Sequence, residues 1–142
     1  MNKSVKLTIL FTLCLVLLVT SGCSAPKPAG LNEQQVVSVT ENILKAVDAK
    51  DHPSFIQDFS DKMKSVFPQA QFDSFCTLLG TASGSYISLG TPSLTNNQGY
   101  AVYRIPASYT NETVYVTITF LVGGKKVEGL WFDSAALRKA SP

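Results

Sequence analysis

Charge and reactive chemistry are both scarce in this chain of 142 residues. It holds one His, three Cys and one Trp, only 15% of its residues are charged, and its formal net charge is +2. One His and three Cys cannot build a four-Cys, two-Cys-two-His or three-His metal site. A charge of +2 leaves no electrostatic footprint for nucleic acid. The G-x-x-x-x-G-K phosphate loop is absent. The longest apolar run, Leu7–Val19, is short of the ~20 residues that a spanning helix needs. No cofactor is expected, and no nucleic-acid partner.

That short run is informative by its neighbours. Met1–Lys6 carries two lysines and no acid, and small residues follow the run, which together make a secretory signal. Val19-Thr20-Ser21-Gly22-Cys23 then resembles a bacterial lipobox, in which a small residue precedes a Cys that is acylated before the signal is removed. Residues 1–22 are read as a lipoprotein signal peptide, and Cys23 as the lipidation site that would carry the palmitoyl-type chains. Two or three acyl chains, at ~0.8 kcal/mol per buried CH2, hold a protein far more firmly than one. Residues 23–30 make a Pro/Ala-rich tether, 31–137 the folded domain and 138–142 a tail. The expected location is the cell envelope, membrane-anchored outside the cytoplasm. Ser24 after the Cys resembles the outer-membrane pattern, and the inner or outer membrane stays open.

The anchor changes the cysteine and charge arithmetic. Cys14 leaves with the signal and Cys23 takes lipid, so Cys76 is the one remaining thiol and no internal disulfide can form. Cys76 lies among Phe72, Phe75, Leu78 and Leu79, a setting for core packing rather than redox work. Lys3 and Lys6 also leave, so ten basic residues face ten acidic ones.

Asn32 with Gln35 makes a capping-box start for a helix whose stripe is Val36, Thr40, Ile43, Leu44 and Val47. Pro53 opens a short second helix, Ser60 caps a further turn, and Pro68 starts another helix that ends within Gly80–Gly84. The period then changes to alternation. Strands are expected at Tyr86–Leu89, Gly99–Ile105, Thr113–Val122 and Lys125–Asp133. Helices first and strands after predict an α+β domain, with N-terminal helices packed on a curved four-stranded antiparallel sheet.

A two-residue Gly123-Gly124 turn sets a register in which Phe120 faces Val127, Val116 faces Trp131 and Val114 faces Asp133. Trp131 and Asp133 then lie on the helix-covered face, with Tyr103, Ile105 and Tyr109. The outer face receives Leu121, Leu130 and Phe132, together with Tyr100, Val102 and Arg104. The helices followed by V-T-I-T-F at Val116–Phe120 and by Lys126–Asp133, with the Phe55…Asp58-Phe59-Ser60 segment, resemble the family catalogued as domain of unknown function 3887. More broadly they resemble the cystatin-like cone of the nuclear-transport-factor-two-like superfamily. The resemblance implies a fold and frequent export, but no activity.

Candidate sites follow from that register. Tyr103, Trp131 and Asp133 form a candidate pocket in the cone, where a carboxylate beside an indole would be placed to act as a base; the plainer reading is that Asp133 marks the strand end and caps the Ser134–Arg138 turn. Leu121, Leu130 and Phe132 form a candidate interface, since they make the outer face more apolar than a solvated surface needs. His52 lies in a polar inter-helix turn, and no Ser or Cys nucleophile has an identifiable base. Asn111-Glu112-Thr113 fits the N-glycosylation pattern in a hairpin turn. The sequence is therefore read as a membrane-tethered, non-catalytic domain that binds a partner protein or a second copy of itself. The alternatives are a small-ligand-binding cone pocket and an isomerase- or hydrolase-like pocket enzyme.

Overall fold

The computed structural model describes residues 30–140; the expected leader, the expected lipidation site Cys23 and the rest of the expected tether lie outside them. Four helices come first: α1 (Glu33–Ala49), α2 (His52–Ile56), α3 (Asp61–Val66) and α4 (Gln69–Ser83). Five strands follow, β1 (Tyr86–Leu89), β2 (Ser93–Asn97), β3 (Tyr100–Tyr109), β4 (Thr113–Leu121) and β5 (Val127–Asp133), and α5 (Ala135–Ala140) closes the described chain. The architecture is the expected α+β arrangement, with an open antiparallel sheet. One strand more than the four expected is present, and α5 carries the helical fold past Leu137.

Local chemistry explains the helix ends. Asn32 Oδ1 accepts from the Gln35 backbone N–H at 2.8 Å and Gln35 Oε1 accepts from the Asn32 N–H at 3.0 Å, so α1 starts in a complete capping box. At its other end Lys50 sits at φ 55, with Asp51 N–H bonded to Ala46 O and Lys50 N–H to Val47 O. This is a Schellman stop built without the usual glycine. Asp51 caps α2 through the Ser54 N–H and hydroxyl, which hold its carboxyl below the ordinary range. Ser60 caps α3.

The sheet is four strands wide, because β1 and β2 share one edge of β3. β1 pairs with Ala107–Tyr109 and β2 with Tyr100–Arg104. The break between them falls beside Pro106, which has no N–H to give a ladder and instead accepts from Gly90 N–H at 2.7 Å. The strand expected to end at Ile105 therefore continues through Pro106 to Tyr109. Facing the helices, Ile105, Val114, Val116, Ile118 and Val127 are fully buried against Val36, Ile43, Leu44 and Leu79. Phe55 is the hub of an aromatic cluster, with Phe72 at 4.7 Å, Phe59 at 4.9 Å and Phe67 at 5.4 Å between ring centroids.

One irregularity decides the face of every later residue. Phe120 pairs with Val127 as expected, but Thr119 then pairs with Gly129, leaving Glu128 as an extra residue in β5. From there Ile118 faces Leu130, Thr117 faces Trp131, Val116 faces Phe132 and Tyr115 faces Asp133. A one-residue slip turns each side chain to the other face. Trp131 and Asp133 thus lie on the outer side and Leu130 and Phe132 on the helix side, the reverse of the sequence expectation. The hairpin also differs from a two-residue turn. Gly124 N–H closes on Leu121 O at 2.8 Å with Gly123 at φ 82, a one-sided positive-φ turn that leaves a longer loop before Val127.

Candidate functional site

The bulge at Glu128 creates the site. Phe132, turned inward, meets Phe75 of α4 at 4.8 Å between ring centroids. Trp131 projects the other way and is 69% exposed. Between α4, β5 and α5 lies an open groove of about 480 Å3, lined chiefly by Phe75, Leu78, Leu130, Trp131, Phe132 and Leu137. Phe67, Phe75 and Leu78 also border a neighbouring, more open hollow of about 580 Å3 along α4, with Ala70 and Ser74.

Four consecutive residues of β5, Leu130 to Asp133, border this groove. Successive strand side chains point to opposite faces, so a groove on one face would touch only alternate residues. This groove therefore runs along the edge of the strand. β5 is the last strand of the sheet. Among the described residues its outer edge is bonded by backbone only at its start, where Val127 N–H bonds Asp58 O and Ser60 N–H bonds Val127 O. Among the described residues no strand pairs with the edge beyond that point.

The polar rim is supplied by Asp133 and Arg138, where Arg138 Nη1 donates to Asp133 Oδ1. Deeper support comes from Glu112. Its carboxylate accepts from Ser83 Oγ and Ser134 Oγ, each at 2.7 Å, and from the Ala136 N–H at 3.2 Å. Burial pushes the Glu112 pKa up, but the bonds from Ser134, Ser83 and Ala136, aided by the Arg138 charge, outweigh it and bring it below the ordinary value. Glu112 thus ties the end of α4 to the start of α5 and fixes the groove's far wall.

The sequence-derived sites regroup accordingly. Trp131 and Asp133 do border one site, but Tyr103 does not join them. It is buried on the helix face of β3, paired with Ile118 across from Leu130, and it lines only a crevice of about 30 Å3. The expected outer-face interface also divides, since Leu130 and Phe132 turn into the groove while Leu121 stays outside and 45% exposed. Phe75, Leu78, Leu137 and Arg138 belong to the site and were missed by sequence reasoning. Their signal was the unbroken Leu130-Trp131-Phe132 run, which a half-buried strand face does not explain.

Other reactive side chains are occupied structurally. His52 Nε2 lies 2.7 Å from Phe67 O and its ring is 5.2 Å from Phe72. The Cys76 thiol is buried, and burial, with Asp73 nearby, pushes its pKa up. Arg104 stacks over Tyr115 on the outer face, 3.8 Å from the ring centroid. Among the described residues there is no cluster of metal-ligating side chains and no helix long and apolar enough to cross a membrane.

A family model described as "Protein of unknown function (DUF3887)" matches residues 40–130. No curated protein sequence is similar to the chain. Among solved structures, an NMR structure of a protein from Ruminococcus gnavus ATCC 29149 superposes with a TM-score of 0.53 over 71% of this chain and 90% of that one, at 13% identity. That likeness is one of fold.

Proposed function

We propose, from the premise that the chain belongs to the DUF3887 family, that it is a lipid-anchored, non-catalytic binding domain of the cell envelope. Its groove between α4 and β5 receives an extended apolar segment of a partner protein. The observation that carries this reading is the coincidence of apolar pockets with an unpaired strand edge, Leu130–Asp133. Backbone donors and acceptors there that no described strand pairs with supply strand addition, and Phe75, Leu78 and Leu137 supply seats for alternate side chains. The polar groups at the rim are already bonded to each other, which favours binding over proton transfer.

A second reading, a small apolar ligand, is favoured by the groove volume, which falls within the ~300–1,000 Å3 of ordinary ligand sites. Trp131, the single tryptophan, borders the groove and reports on both. Extended apolar peptides should shift its emission, and the same peptides N-methylated on alternate amides should not, because they cannot add to the edge. Equal response to both forms, or to a fatty acid alone, would reject strand addition in favour of the small ligand. A peptide-independent shift that grows with protein concentration, together with dimers by light scattering, would assign the edge to a second copy instead.

A further inference from the structure

The far end of the same sheet carries a second feature. Gly30, the first described residue, packs on the β4–β5 turn: a Cβ there would lie 3.4 Å from Gly123 N and 3.6 Å from Gly124 O. The chain therefore enters the domain at this hairpin. Gly30 shares a crevice with Leu94, Leu121 and Val122, which are 49%, 45% and 44% exposed. The β2–β3 turn joins the same end, since Val122 N–H bonds Gly99 O at 2.9 Å, and it brings exposed Tyr100 alongside. Leu94, Leu121 and Val122 thus project at the crevice where the chain enters, and Tyr100 stands beside Leu121 on the outer face of the same tip.

The length of chain outside the structure says what lies opposite. Only residues 24–29 separate Gly30 from Cys23, a reach of at most ~25 Å. We propose that this tip is a membrane contact, with Leu121 and Val122 seated at the headgroup level of the bilayer that holds the anchor and Tyr100 and Leu94 beside them. The inference rests on acylation of Cys23. Lys125 and Lys126 are exposed here, but Glu33 and Asp58 lie at the same end, so the contact is apolar rather than electrostatic. Strand β5 runs from Val127 to Asp133, which lifts the groove's rim ~20 Å from the tip. The domain stands on its hairpin with the groove facing away from the lipid.

The test uses the acylated full chain, purified from host membranes and reconstituted in phosphatidylcholine vesicles. In Val122→Cys the new thiol is accessible while Cys76 is buried, so a polarity-sensitive fluorophore labels the tip; Asn111→Cys labels the opposite end. The label at 122 should be blue-shifted and lose most of its emission to brominated lipid, unchanged by salt, and the label at 111 should not respond. Equal behaviour of the two labels on vesicles that still float with the protein would overturn the tip contact and leave the anchor standing. Protein that does not float, with Cys23 unmodified by mass, overturns the anchor and the orientation with it.

Discussion

Phe132 and Phe75 meet across the sheet–helix junction at 4.8 Å between ring centroids, while Trp131, the residue between Phe132 and Leu130, stands in solvent. The pair exists only because Glu128 bulges out of the β4–β5 ladder. This relationship gives the register an energetic signature. Phe132→Ala removes a half-buried ring from its partner and should cost about 2 kcal/mol, below the ~3–5 of a fully buried phenylalanine. Trp131→Ala should cost under ~1 kcal/mol, as at exposed sites. Urea denaturation of both variants decides it; the reverse ranking would restore the unbulged register.

Much of the fold was legible because its signals are local. Asn32 with Gln35, Ser60 and Pro68 set helix starts, and the alternation of Val114, Val116, Ile118 and Phe120 set the buried face of β4. The candidate groove was legible only as the Leu130–Asp133 segment, while its assembly was not, because that depends on one non-local event. A bulge leaves no periodic mark, and Glu128, which accepts from Ser60 Oγ at 3.0 Å, is held by a residue 68 positions away. β2 escaped notice because Ser93–Asn97 is exposed throughout and has no apolar alternation to declare it.

Glu112 should make the domain sensitive to acid. Its pKa is lowered on folding, so the unfolded chain binds the proton more readily, and its contribution is present above the ordinary glutamate value of ~4.3. That contribution is lost as pH falls through the lower folded value. Glu112→Gln should destabilise by about 1–2 kcal/mol at neutral pH, discounted for partial exposure. The gap between variant and parent should shrink toward zero in acid. A gap that stays constant with pH would show that the charge is not what Ser83, Ser134 and Ala136 recognise.

Tyr109 carries a stabilising substitution in waiting. Its ring is buried, its hydroxyl makes no hydrogen bond among the described residues, and burial drives its pKa far up. Tyr109→Phe removes the desolvated group while keeping the ring against Tyr86, 5.9 Å away. Because a buried unsatisfied group costs ~1–3 kcal/mol, the variant should be neutral or up to about 1 kcal/mol more stable. A loss above ~1 kcal/mol in thermal unfolding would reveal a hidden partner for the hydroxyl.

The β2–β3 turn offers the sharpest test of backbone chemistry. Asn97 pairs with Tyr100, so Gln98 and Gly99 form a two-residue loop, and both have positive φ, 47 and 85. That is the type I′ geometry, whose twist matches the flanking strands and whose preferred sequence is Asn-Gly. A Cβ at Gly99 would meet nothing within 4 Å, so the glycine serves by conformation alone. Gln98 has the φ without the propensity, since a long side chain gains none of the local hydrogen bonding that lets Asn tolerate the left-handed region. Gln98→Asn should therefore stabilise the domain by about 0.5–1 kcal/mol, on the scale of other backbone-compatible turn substitutions. Because Gly99 O accepts from Val122 N–H, the same change should also slow amide exchange at Val122. A stability gain without slower exchange would uncouple this turn from the hairpin tip, and no gain at all would mean that the loop is not of this type.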